Sequence, residues 1–174
     1  MSIGVLLPRD ASTIRLCVLG LRGAELGVYL ESIAWPGCLV SVDRVRRALA
    51  GPDGGGPILS LVHLDVRGAV LPRVGIEYRF ARRPQVRGIV QERPFFDRLV
   101  ELGLCTIAKR DAVLAWPGIA ADVLRHERWP SVVGRRLNHV KIVHDGRRLL
   151  AKAYLRVVHA RRAAPAAGTA TSRQ

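Results

Sequence analysis

The sequence predicts an α+β protein, built on a curved antiparallel sheet of about six strands with paired helices on one face. Three observations lead to this prediction. Pairs of β-prone runs alternate with pairs of helical runs along the chain. Short turns join the β-prone runs within each pair, which makes neighbouring strands antiparallel. Nearly every β-prone run has one apolar and one polar face, with Tyr78 as an exception, and helices that cover the apolar face of such a sheet give this fold class.

The β-prone runs are rich in branched residues that alternate with polar ones, as is typical of half-buried strands. They cover residues 3–7, 13–19, 58–66, 74–80, 137–144 and 149–159. The last pair is separated by Asp145-Gly146, a dipeptide that tolerates the positive φ angles of a tight hairpin turn. We therefore expect three hairpins.

The helical runs have apolar residues three and four positions apart. We expect helices over 23–35, from a cap at Ser41, over 94–102, from a cap at Thr106, and more loosely over 119–127. Pro94 is tolerated in the first turn of its helix, and Gly103 ends that helix.

A repeated tetrapeptide indicates an internal duplication. The sequence AWPG occurs at 34–37 and at 115–118, so its tryptophans are 116 − 35 = 81 positions apart. Two further pairs share an offset of 76 positions (139 − 63 and 154 − 78): His63 with His139, and Tyr78 with Tyr154. A helix-plus-hairpin unit cannot bury its apolar face alone, so the copies are expected to stack. We expect one domain over residues 1–160, followed by a disordered tail over 161–174.

The composition restricts the possible partners. The formal net charge is +14, with 28 basic and 14 acidic residues, which favours polyanionic partners such as diphosphates, acidic surfaces or nucleic acid. Only three of the basic residues are lysines, and the arginines are scattered along the chain, so nucleic acid is the weakest of these alternatives. No apolar run approaches the roughly 18–20 residues of a membrane span.

The cysteine count predicts reduced thiols and a cytoplasmic location. The three cysteines, an odd number without paired spacing, are Cys17, Cys38 and Cys105.

His63 and Asp65 share a strand face but lack a third metal ligand at a dependable spacing. The glycines at 54–56 lack the Lys-Ser/Thr ending of a phosphate-binding loop. The sequence therefore predicts no metal site and no cofactor.

Repeated hairpin-plus-helix units with a polar sheet face resemble the ABBA barrel of aromatic prenyltransferases. A Lys-x-Tyr strand motif recurs in that family, and Lys152-Ala153-Tyr154 matches it. The resemblance implies binding of an isoprenoid diphosphate and transfer of its prenyl group to an aromatic or peptide acceptor. It assigns Glu77 to the acceptor. It assigns the diphosphate to Arg79, Lys141, Lys152, Tyr154 and Arg156.

The chain is also similar to a group of bacterial proteins without assigned activity. The shared stretches are VGIE (74–77), LGLCT (102–106), KRDA (109–112), AWPG (115–118) and KAYL (152–155). Six strands are fewer than the ten or so of an ABBA barrel, so the chain would form a half barrel, and a homodimer would complete it.

Two interpretations of the polar face remain open: it lines a binding cavity or it meets water. If the protein is not an enzyme, it is an accessory module that holds a peptide or another anionic partner.

Overall fold

The computed structural model describes residues 2–5, 12–50, 57–80, 92–121 and 131–161. The elements in these ranges are β1 (Ser2–Val5), β2 (Ile14–Leu19), α1 (Leu26–Ser32), α2 (Leu39–Ala50), β3 (Ile58–Arg67), β4 (Ala69–Arg79), α3 (Arg93–Glu101), α4 (Ile107–Ala115), β5 (Gly118–Ala121), β6 (Ser131–His144) and β7 (Leu149–Arg161). A 3₁₀ turn over Gly23–Glu25 leads into α1. No helix in these ranges has the length and apolar character required to span a membrane.

All strands belong to one antiparallel sheet. Its order is β1-β2-β3-β4-β6-β7. Strand β5 pairs with residues 132–135 of β6, and β4 pairs with the later stretch 140–144 of the same strand. Because β7 occupies the other edge of β6 along its whole length, β4 and β5 share one edge. The sheet is thus six strands wide. Within the described residues β1 does not pair with β7, so the sheet is not closed into a barrel. The α+β class and the six-strand width are confirmed.

The helices cover one face of the sheet and bury alternate residues of the central strands. The helical side chains that this core buries are Leu26, Leu30, Val42, Val45, Leu49, Phe95, Phe96 and Leu99. They pack against Val62, Leu64, Val74, Ile76, Tyr78, Leu137, Val140 and Ile142 of the strands. This packing fixes which strand residues point away from the helices, because successive side chains of a strand point to opposite faces.

A bulge in β6 sets the direction of the side chains that follow it. The pairing of β6 with β7 shifts between Leu137 and His139, and Asn138 is the extra residue. Leu137 and Val140 therefore both face the core although they are three positions apart. His139 and Lys141 consequently point to the opposite face.

The first helix pair differs in detail from the prediction. Helix α1 ends at Ser32, three residues early, because Ala34 adopts a φ of +50° and the Trp35 N–H closes back onto the Leu30 carbonyl at 3.0 Å. The predicted cap at Ser41 is wrong: α2 begins at Leu39, and the Ser41 hydroxyl donates to Cys38 Sγ at 3.1 Å.

The second helix pair follows the prediction more closely. Pro94 lies in the first turn of α3, and Gly103 ends that helix with a φ of +69°. The Thr106 hydroxyl caps α4 by accepting the Lys109 N–H at 3.3 Å.

The predicted helix over 119–127 is wrong at its start. Residues Gly118–Ala121 form β5, because backbone pairing with β6 offers hydrogen bonds that a short isolated helix cannot match. The remainder of that prediction lies outside the described residues. So does the predicted tail, apart from Arg161, which ends β7.

Candidate functional site

The uncovered face of the sheet carries a row of polar side chains from five strands. The register places Cys17 of β2 opposite His63 of β3, Glu77 of β4 opposite Lys141 of β6, and Lys141 opposite Lys152 of β7. Arg15 lies opposite Asp65, and His139 lies opposite Tyr154. Residues that are far apart in the chain are thus brought side by side, and we call this surface the polar face.

Glu77 lies at the centre of the polar face and is 8% exposed. The Nε2–H of His63 donates to its Oε1 at 2.7 Å. The same oxygen lies 3.6 Å from Nε2 of His139 and 3.8 Å from Nζ of Lys141. Two strands, β3 and β6, therefore direct three nitrogens at one carboxylate, which compensates the cost of burying its charge.

The buried charges have shifted pKa values. Burial alone would raise the pKa of Glu77, but the hydrogen bond from His63 and the nearby cations outweigh it and lower this pKa. Burial lowers the pKa of Lys141 to about 8, although Glu77 opposes the change. Burial also lowers the pKa of His139, although Glu77 opposes this change as well. Lys141 is therefore a cation that titrates close to physiological conditions.

A second carboxylate of the polar face is neutralised by arginine. Nε and Nη2 of Arg15 donate to the two oxygens of Asp65 at 2.7 and 2.9 Å. This two-point hydrogen bond raises the pKa of Arg15 despite its partial burial. Asp65 is only 5% exposed, so the Arg15–Asp65 pair is a fixed part of the polar face.

A basic pocket of about 140 Å³ opens beside the Glu77 cluster. Its lining includes Arg15, His63, Arg73, Lys141, Lys152 and Tyr154. Among the described residues, neither Arg73 nor Lys152 has an ion-pair partner. Gly75 makes room here, because a Cβ at this position would collide with Cε of Lys141. The pocket, whose lining also includes the Asp65 carboxylate, thus offers two cations that have no ion-pair partner among the described residues, in a volume suited to a small anion.

Four of the six predicted site residues lie together. Lys141, Lys152 and Tyr154 line the basic pocket, and Glu77 contacts Lys141 at its edge. The Tyr154 ring stacks on His139, with 4.2 Å between ring centroids and 20° between planes.

The other two predicted residues share the polar face but not the pocket. Arg79 is exposed at the end of β4, where its charge contributes to the lowered pKa of His139. Arg156 lies opposite Arg136, two positions beyond Tyr154.

The sequence alone assigns no role to Arg15, Arg73 or Cys17. Alternation along the strands did place Arg15 and Cys17 on one face of β2, and His63 and Asp65 on one face of β3. What it lacked was the pairing register and the bulges that decide which of these residues meet.

The tryptophans of the two AWPG copies and Cys105 have structural surroundings. Trp35 is 5% exposed and packs edge-on against His144 at 5.6 Å, and the Arg135 guanidinium lies 5.2 Å from the Trp116 ring centre. Burial raises the pKa of the Cys105 thiol, which donates to the Thr106 carbonyl. This is typical of a structural cysteine.

The chain has no match among family models, and comparisons with curated proteins and with solved structures also found none.

Proposed function

We propose that the protein binds a diphosphate-bearing small molecule in the basic pocket of the polar face. The observation that carries this proposal is a pair of cations, Arg73 and Lys152, that have no ion-pair partner in the described part of the chain and lie around the buried ammonium of Lys141. Cations held in a partly dry site bind phosphate oxygens more strongly than cations in water.

The isoprenoid diphosphate suggested by the ABBA resemblance is the first ligand to consider. The pocket is smaller than the roughly 300 Å³ at which sites for drug-sized ligands begin, so it suits the diphosphate and not the hydrocarbon chain. A prenyl chain would extend over the stacked rings of His139 and Tyr154, which offer an aromatic surface.

Prenyl transfer to an aromatic acceptor is the enzymatic form of this proposal. Lys141 and Lys152 would stabilise the departing diphosphate, and Arg79 and Arg156 would extend the positive field. Glu77 would orient the acceptor, in competition with its hydrogen bond from His63.

A second candidate follows from the edge of the sheet. Within the described residues β7 has no partner on its outer side, and most of its side chains are exposed. An acidic peptide could add to this edge as a further strand, with Lys152 and Arg156 facing its carboxylates. In this form the protein is an accessory module and not an enzyme. A second copy of β7 could occupy the same edge and form a homodimer.

Thermal unfolding of the whole chain tests the proposal. Inorganic diphosphate and dimethylallyl diphosphate, each at about a hundredfold excess over its Kd, should raise Tm by about 5–10 °C. Lys152→Ala should remove most of the shift. Lys109→Ala, which removes the same charge from α4 outside the pocket, should retain it.

Three results would contradict the diphosphate proposal. One is the absence of any shift, and another is an equal loss in both lysine variants. The third is stabilisation by an acidic peptide alone, which would favour the accessory module. Affinity that falls steeply with salt and is insensitive to Lys152→Ala would indicate nucleic acid.

A further inference from the structure

Cys17 contacts a histidine whose other nitrogen is held by a carboxylate. Its Sγ lies 3.4 Å from Nδ1 of His63, across the β2–β3 pairing. Nε2 of the same ring lies 2.7 Å from Oε1 of Glu77. The three side chains come from three neighbouring strands, so sheet pairing fixes their relative positions.

The Glu77 carboxylate decides the tautomer of His63. An ionised carboxylate can only accept hydrogen bonds, so Nε2 must carry a proton and donate it. Nδ1 of the neutral ring is then an acceptor directed at the Cys17 thiol. This is the order of a nucleophile, its base and an orienting carboxylate.

The Cys17 sulfur has cationic neighbours on the polar face. Cys17 is partly exposed, and it shares this face with the cations of Arg15 on its own strand and Lys141 on β6. Reactive cysteines occupy partly exposed, electropositive environments of this kind. Arg15, Lys141 and His63 also line the basic pocket, so the sulfur is adjacent to the place proposed for phosphate.

We propose that Cys17 is a nucleophile activated by His63 and positioned by Glu77, and that it accepts the acyl group of a small acyl phosphate. The phosphate half of this substrate would occupy the basic pocket, and in that part the inference rests on the proposed function. The thiol chemistry rests on the Cys17–His63–Glu77 geometry alone.

The reaction balances without a further reagent. The Cys17 proton passes to Nδ1 of His63 as the sulfur attacks the carbonyl carbon of the acyl phosphate. A carbon–sulfur bond forms, the carbon–oxygen bond to phosphorus breaks, and the phosphate leaves with the proton from His63. Attack by water on the resulting thioester breaks the carbon–sulfur bond, releases the carboxylic acid and restores the thiol.

Alkylation by iodoacetamide tests the thiol, read for each cysteine by mass spectrometry on the whole chain near neutral pH. We expect His63→Ala to slow alkylation of Cys17 at least about tenfold. If the role of His63 were only structural, His63→Ala should instead speed the alkylation of Cys17, because removing the ring opens space beside the sulfur. Cys38 is the comparator within each sample, since it is exposed and a hydrogen bond with Ser41 lowers its pKa. Its rate should not change.

Glu77→Gln tests the positioning residue. This variant should slow alkylation of Cys17 near neutral pH, and the rate should recover at alkaline pH, where the thiol ionises without a base. His63→Gln, which keeps a polar side chain, serves if His63→Ala does not fold as judged by circular dichroism. Cys17 alkylation that is unaffected by every folded His63 variant would overturn the proposal.

Acetyl phosphate tests the acyl transfer. We expect an acetyl group on Cys17, no acetyl group at that position in Cys17→Ser, and competition by inorganic diphosphate. Failure of Cys17 to become acetylated, while diphosphate still raises Tm, overturns this inference and leaves the proposed function intact. Acetylation of Cys17 without competition, and without a Tm shift by diphosphate, supports the nucleophile and overturns the phosphate-binding function.

Discussion

The two AWPG copies have the same sequence and different structures. In the first copy Ala34 leaves the helix with a positive φ, and Trp35 folds into the core before α2 begins. In the second copy α4 runs through Ala115, Trp116 caps it, and Gly118 starts β5. A tetrapeptide therefore takes the conformation that its neighbouring elements require, and its repetition does not by itself define equivalent positions in the fold.

The two hairpins that follow differ in the same way. His63 of the β3–β4 hairpin and His139 of the β6–β7 hairpin both direct Nε2 at Glu77. The tyrosines of the two hairpins, however, lie on opposite faces of the sheet. Tyr78 is 3% exposed in the core, whereas Tyr154 is 41% exposed on the polar face. The cause is the turn. One residue separates the last paired positions of the β3–β4 hairpin, and four residues separate those of the β6–β7 hairpin. The histidine and the tyrosine are equally far apart in both sequences, so the different turns give them a different pairing register.

The largest expected contrast is between these two tyrosines. Tyr78→Ala should lower the free energy of unfolding by about 3–5 kcal/mol because it leaves a core cavity, and Tyr154→Ala by less than about 1 kcal/mol. Tyr78→Phe should cost almost nothing, since the buried Tyr78 hydroxyl has no partner among the described residues. Urea unfolding measures all three variants. Equal losses for the two alanine variants would contradict the assigned faces.

The second contrast is between the glycines of the two tetrapeptides. A Cβ on Gly37 would overlap the Trp35 ring, whereas a Cβ on Gly118 would meet only the end of the Arg135 side chain at 3.4 Å. Gly37→Ala should therefore lower the free energy of unfolding by about 1–3 kcal/mol, and Gly118→Ala by about 0.5 kcal/mol or less. The same denaturation series compares them, and a greater loss for Gly118→Ala would show that the copies have been assigned to the wrong environments.

The third contrast lies in charge. At the offset of 76 positions Lys141 corresponds to Asp65 (141 − 76), so one hairpin carries a buried cation where the other carries a buried anion. Because the pKa of Lys141 falls from 10.5 to about 8 on folding, the unfolded chain binds more protons between these values. Lys141 therefore opposes folding below about pH 8, and its penalty fades as the pH rises through this window.

Comparison with the variant Lys141→Met measures this pH-dependent penalty. The wild-type free energy of unfolding, taken relative to this variant, should increase from pH 8 to pH 10.5. The charged and titratable groups that act on the Lys141 ammonium are Glu77, Arg15, Cys17 and Arg73, and the variant retains all of them. A difference between wild type and variant that is flat or falls across this window would show that Lys141 is not desolvated.

The sequence predicts the architecture better than the site. Alternation and turn residues are local signals, and they predicted the strand pairs and the polar face. The grouping of Lys141, Lys152 and Tyr154 with Glu77 was implied by the resemblance to the ABBA barrel and not by a local signal. The roles of His63 and Cys17 depend on which strands are neighbours and on their register, which no local signal contains. The bulge at Asn138 is a further feature that the sequence does not reveal. It directs His139 towards Glu77, but Asn138 is neither Gly nor Pro, the residue types that would have signalled a bulge.

One added methyl group in each hairpin tests the central claim, that the polar face is a built binding site. Gly75→Ala would displace Lys141 from the pocket without changing any charge. Gly134→Ala adds the same methyl group in β6, where the nearest atom is the Val158 carbonyl oxygen at 3.8 Å. By calorimetric titration with inorganic diphosphate, Kd should rise about tenfold in Gly75→Ala, equivalent to about 1.4 kcal/mol, and remain unchanged in Gly134→Ala. Equal affinity in the wild type and both variants, or no binding by the wild type, would contradict the claim.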